Sequence, residues 1–235
     1  MRRSWLMVLS ALALVVPSTS VARPSIDDPC REPGETAVTL RASDGARLYG
    51  VEVGNGSVGV VLAHQYGSSH CEFMPFAREL AGLGYRTLSI DLRGDGASRV
   101  GRGAGTRLDR DIAAAVARLR ADGATRIKLI GASMGATAVL VAAASIVPRV
   151  DGVVSLSAPA TYNGLDALRA VKRSRVPARF LVGILDRPFA TDARTLTRNA
   201  LAEDKAILRL PGAVHGSSLL ELPRGKAFVL AFLAK

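Results

Sequence analysis

Aromatic residues make up only 5% of the 235-residue chain, cysteine occurs twice and histidine three times. Each scarcity removes a class of function. With so few aromatic rings there is little from which to build a base-stacking platform, and the arginines are scattered rather than clustered, so the net charge of +11 does not read as nucleic-acid binding. A solvated basic face, suited to contact with anionic surfaces, is the plainer reading. His64, His70 and His215 lack ligand spacing and no acidic residues gather beside them in sequence, so neither a metal nor a cofactor is expected. His70 reads as a surface residue.

Long apolar runs are also missing beyond the first residues. Trp5–Val16 follows Arg2 and Arg3 and precedes Pro17 and a small-residue stretch ending in Ala22, the three-part pattern of a secretory leader. A twelve-residue run spans about 18 Å as a helix against a hydrocarbon core of about 30 Å, too short for a permanent crossing. The expectation is a signal peptide over 1–22, cleavage after Ala22 and a secreted protein, with an arm over 23–34 and one domain over 35–235. In an exported chain Cys30 and Cys71 suggest a disulfide, with two free thiols as the alternative.

What is present in quantity is alternation. From Thr36 onward, β-branched apolar runs interleave with segments of helical period, which predicts a mostly parallel sheet covered on both faces. Strands are expected near 37–42, 48–53, 58–63, 86–90, 126–130, 152–157, 179–184 and 206–210. Ser43-Asp44-Gly45 joins the first two as an antiparallel edge. Leu108, Ile112, Ala115, Val116 and Leu119 make one apolar helical stripe, with Thr106 as its N-cap. A helix over 134–146 is apolar nearly all round and belongs in the core. Between Ser157 and Arg179 there is room for one helix but not for a large lid.

Gly131-Ala132-Ser133-Met134-Gly135 stands between the fifth strand and that buried helix. A sharp strand-to-helix turn projects a serine hydroxyl from the sheet, and the helix N-terminus supplies N–H groups where an oxyanion forms. With this pentapeptide the chain resembles the α/β-hydrolase family, over nearly all of its length after the leader. His64-Gln65-Tyr66-Gly67 is similar to the family's His-Gly-x-Gly, with Gln65 in place of glycine. Asp91-Leu92-Arg93-Gly94-Asp95-Gly96-Ala97-Ser98 matches an architectural turn motif. Gly183-Ile184-Leu185-Asp186 resembles the acid-bearing segment, with Asp192 as substitute, and Gly212-Ala213-Val214-His215-Gly216 the histidine loop.

The resemblance implies an eight-stranded α/β-hydrolase without a large lid and a triad of Ser133 as nucleophile, His215 as base and Asp186 as its orienting acid. It implies oxyanion donors at the Met134 and Tyr66 backbone N–H groups and a bracing, non-catalytic role for His64. The implied activity is cleavage of carboxylic esters through an acyl-enzyme, on a small-molecule or lipid-like ester. Acyl transfer or thioester cleavage on the same triad, and a non-catalytic binding protein on the same fold, stand as alternatives.

Overall fold

The computed structural model describes residues 28–101 and 105–235; the expected leader over 1–22 lies outside them. In chain order the strands are β1 (Thr36–Arg41), β2 (Arg47–Val53), β3 (Val58–Ala63), β4 (Arg86–Ile90), β5 (Arg126–Ala132), β6 (Gly152–Leu156), the two-residue β7 (Thr161–Tyr162) and β8 (Leu165–Asp166), then β9 (Ala178–Gly183) and β10 (Lys205–Leu210). The helices are α1 (Met74–Gly82), α2 (Leu108–Ala121), α3 (Met134–Ala143), α4 (Ala167–Val171), α5 (Phe189–Asn199) and α6 (Pro223–Leu233).

Eight strands form one sheet in the order β1-β2-β4-β3-β5-β6-β9-β10, antiparallel at β1–β2 and β2–β4 and parallel from β4 to β10. Because side chains alternate across a strand, neighbouring residues feed two different cores. Val61, Leu129 and Val153 pack toward α2 and α3, whereas Val60, Ile130 and Val154 pack toward α1 and α6. This double burial explains the unbroken apolar runs of the central strands. The short β7–β8 hairpin and the five-residue α4 are the elements between β6 and β9, so among the described residues this segment supplies no large lid.

Two local expectations are corrected. Thr106 does not cap α2: the helix starts at Leu108 with no side-chain cap, and the Thr106 hydroxyl donates instead to Asn163 O (2.7 Å) in the β7–β8 turn. The helix expected over 134–146 ends at Ala143, because Pro148 disfavours helical geometry at the residue before it and the chain turns through Ala144–Ile146. Cys30 and Cys71 are joined in a disulfide, their Cα atoms 5.4 Å apart.

Lys128 points from β5 into the core with 1% exposure and donates from Nζ to Phe232 O (2.7 Å) and Leu233 O (3.1 Å), two carbonyls of the last turn of α6. Burial brings its pKa down to about 8, with the charges of Arg126 and others adding to the effect. The folded chain therefore disfavours the ammonium that the unfolded chain carries up to pH about 10.5. The resulting cost is present in full below pH about 8 and is relieved as pH rises toward 10.5, an effect of roughly 3 kcal/mol over the whole window. Urea unfolding of wild type and Lys128→Met at pH 7 and pH 10 is expected to show wild type gaining stability relative to the variant at the higher pH. An unchanged difference would remove the argument.

Candidate active site

The sheet ends its parallel strands in a row of loops, and three of these loops, after β5, β9 and β10, carry the expected triad residues at the same end of the sheet. Ser133 sits between β5 and α3 at φ 48° and ψ −110°, a left-handed conformation costing about 1–3 kcal/mol that surrounding contacts must hold. Ser133 N–H donates to Leu156 O (2.8 Å), and Ser133 O accepts from Thr137 N–H (3.1 Å). The tightness of the turn explains its glycines. A Cβ on Gly131 would collide with the Gly135 carbonyl, and one on Gly135 with the carbonyls of Ala63 and His64.

Asp186 and His215 come from the loops after β9 and β10, which are zipped together by Ile184 N–H to Leu210 O (2.8 Å) and Leu185 N–H to Gly212 O (2.9 Å). Gly183 must lack a side chain because the backbone of Gly212 and Val214 lies against it. The consequence is a hydrogen bond from His215 Nδ1 to Asp186, 2.9 Å to Oδ2 and 3.1 Å to Oδ1, with the carboxylate buried and the imidazole about one-third exposed. The Phe189 ring packs on the imidazole, centroids 4.4 Å apart. At Gly216 the histidine loop lies against Ala132, the residue before Ser133. Ser133 Oγ has no hydrogen-bond partner among the described residues; the serine–histidine bond of such sites commonly tightens only in the substrate complex. Asp192, the substitute acid, accepts from Ala160 N–H (3.1 Å) and has no bond to His215.

Ser157, just past β6, was not singled out by sequence. Its hydroxyl donates to Asp186 Oδ2 (2.7 Å) and its oxygen accepts from Gly216 N–H (3.2 Å), so it ties the acid to the residue following the histidine. Losing one such buried bond removes about 1–3 kcal/mol of positioning. Ser157→Ala is expected to lower kcat tenfold to a hundredfold with KM little changed, and steady-state kinetics on a soluble chromogenic substrate checks it.

Met134 is the first residue of α3, where backbone N–H groups have no partner within the helix. His64 is fully buried: Nδ1–H donates to Gln65 O (2.7 Å) and Nε2 accepts from Leu92 N–H (3.0 Å), bracing the loops after β3 and β4 as expected of it. Gln65 is accommodated because its side chain turns toward Gly216, while its N–H donates to Glu72 Oε2 (3.1 Å). Tyr66 is 75% exposed and, with Met134, Asp95, Val100, Leu108 and Tyr162, lines a cleft of about 230 Å³. The Asp91–Ser98 segment is architectural. Arg93 lies buried between Asp44 (2.7 Å) and Asp111 (2.6 Å), and Asp91 accepts from the N–H groups of His70 and Ala97 (both 2.7 Å).

His70 is not a surface residue. It is 5% exposed, with Nδ1 2.8 Å from Asp91 Oδ1 and Nε2 3.1 Å from Asp28 Oδ2, and the Tyr49 hydroxyl also donates to Asp28 Oδ2 (2.6 Å). Acidic residues therefore do gather on this histidine, contrary to the expectation from spacing. Burial works against its imidazolium, but the two carboxylates outweigh that and hold its pKa above the ordinary value.

The sequence model described as serine aminopeptidase, S33, matches residues 57–184, more than half of the chain. The chain belongs to this α/β-hydrolase family. No curated protein matches the family member significantly. Among solved structures, an esterase from Pyrococcus furiosus superposes with a TM-score of 0.70 at 18% identity, covering 85% of this chain and 90% of that one. An esterase from Exiguobacterium antarcticum gives 0.70 at 16%, covering 85% and 100%. A dienelactone hydrolase from Anabaena variabilis gives 0.66 at 26%, covering 86% and 95%. The superpositions establish an α/β-hydrolase fold for this S33 family member, and the family match gives hydrolysis as its general chemistry.

Proposed function

We propose that this hydrolase cleaves carboxylic esters through a Ser133-His215-Asp186 triad. The observation that carries the reading is the buried Asp186 carboxylate bonded to His215 Nδ1 in a loop packed against the strained turn of Ser133. With Nδ1–H donated to Asp186, Nε2 is free of its proton and can accept one from Ser133 Oγ as that oxygen attacks the ester carbonyl. The Met134 N–H, with Tyr66 N–H as second donor, stabilises the oxyanion. The alcohol leaves with the proton from His215, and water repeats the sequence on the acyl-enzyme.

An ester is favoured over an amide by the open cleft and by the neighbours described as esterases and a dienelactone hydrolase. The family description as an aminopeptidase makes an amide the competing substrate. A fluorophosphonate probe, followed by a panel of p-nitrophenyl esters of increasing acyl length and aminoacyl p-nitroanilides, tests both. Labelling lost in Ser133→Ala together with ester turnover is the expected result. Anilide turnover alone would make the protein a peptidase, ester consumption only with an added alcohol an acyltransferase, and absence of labelling a binding protein. Export fits the same reading, since a Cys30–Cys71 disulfide suits an oxidising compartment.

A further inference from the structure

We propose that Asp28, Cys30, His70 and Cys71 form a second site, for a thiophilic divalent cation of the zinc type, which the disulfide closes and its reduction opens. One ligand atom from each of the four residues lies within 4.8 Å of all the others. His70 Nε2 is 3.1 Å from Asp28 Oδ2 and 3.8 Å from Cys71 Sγ. Bonds of about 2.0–2.3 Å in a tetrahedron place ligand atoms roughly 3.3–3.8 Å apart, so His70 Nε2 stands at a suitable separation from Cys71 Sγ and only slightly too close to Asp28 Oδ2. The two sulfurs must part.

The surroundings are those of an oriented ligand set. His70 Nδ1 is held by Asp91, which is itself fixed by two backbone N–H groups, and this leaves Nε2 facing the sulfurs and Asp28. A carboxylate behind a histidine is the usual way of fixing a metal-binding imidazole. The Tyr49 hydroxyl steadies Asp28 in the same manner. A cleft of about 360 Å³, lined by Asp28, Pro29, Tyr49, Ser69, His70 and Cys71, gives an ion a way in. A staple alone requires none of this polar lining.

The chemistry balances with a trialkylphosphine as reductant. The phosphine takes the oxygen of one water and leaves as phosphine oxide, and its two electrons and the two water protons convert the S–S bond into two thiols. Each thiol loses a proton on binding the cation, and His70 Nε2 gives up to solvent the proton it shares with Asp28 and binds through its lone pair, with Nδ1–H kept toward Asp91. The gain is mechanical. His70 opens the short turn that ends at Phe73, and Glu72 within it holds Gln65 N–H beside Tyr66. A bound cation would keep the arm joined to the loop after β3 when the disulfide is broken.

The test uses the full chain after phosphine reduction without oxygen, incubation with zinc chloride and desalting, with zinc measured by elemental mass spectrometry. One zinc per reduced chain and none per oxidised chain is expected, and Co²⁺ in its place should give tetrahedral d–d bands with a sulfur charge-transfer band. His70→Gln and Asp28→Asn, checked by circular dichroism while still oxidised, should lose the stoichiometric ion, and Asp91→Asn should weaken affinity tenfold to a hundredfold. Should either ligand variant not fold, the comparison of reduced with oxidised wild type decides alone. No zinc on the reduced wild type, or unchanged zinc in a folded His70→Gln, overturns the proposal.

Discussion

Ser133→Ala is expected to lower kcat for ester hydrolysis by roughly 10⁶, the scale on which removal of a triad nucleophile acts. The effect on folding should be slight. Ser133 Oγ has no hydrogen-bond partner among the described residues, so its removal leaves none of them unsatisfied, and such changes usually stay within about 0.5 kcal/mol. Alanine keeps the Cβ that the left-handed turn already tolerates, and the bonds of the Ser133 backbone to Leu156 and Thr137 do not involve the hydroxyl. Activity on a p-nitrophenyl ester and thermal unfolding measured on the same preparations separate the two effects. Retained turnover with normal unfolding would end the role assigned to Ser133; joint loss of both would show that the elbow needs the hydroxyl for structure.

How far the sequence could be read depends on whether the decisive partners are neighbours along the chain. The sheet was legible because its strands are buried on both faces, so their apolar runs mark boundaries to within a residue or two. The Ser133 turn was legible because its glycines are demanded by local crowding. Lys128 interrupts an apolar run, and nothing near it in sequence explains it, since the carbonyls that receive it lie 104 and 105 residues away. His70 was misplaced for the same reason: Asp28 and Asp91 lie 42 and 21 residues off, on either side, and no spacing rule links them. Ser157 carried no signal at all. A serine just past a strand becomes a positioning residue only when the loops after β9 and β10 fold over it.

Asp186→Asn is expected to lower kcat by roughly 10⁴, the scale found when a triad acid is changed to its amide and the histidine is left in the wrong tautomer. Ser157 Oγ and His215 Nδ1 both lie on Asp186 Oδ2, at 2.7 and 2.9 Å, while Oδ1 is 3.1 Å from Nδ1. With the amide oxygen at the Oδ2 position, Nδ1–H keeps an acceptor but the negative charge that stabilises the imidazolium is gone. With the NH₂ there, Nδ1 must accept, the proton moves to Nε2, and Nε2 cannot take one from Ser133. Gly216 N–H occupies a lone pair of Ser157 Oγ, and the Ser157 hydroxyl donates its hydrogen to the Oδ2 position, which favours the amide oxygen there. Removing that hydroxyl frees the amide to turn its NH₂ toward His215. The double variant Asp186→Asn/Ser157→Ala should therefore be less active than Asp186→Asn alone. A double-mutant cycle on kcat/KM measures this coupling, and a double variant no worse than Asp186→Asn would show that Ser157 has no hold on the amide.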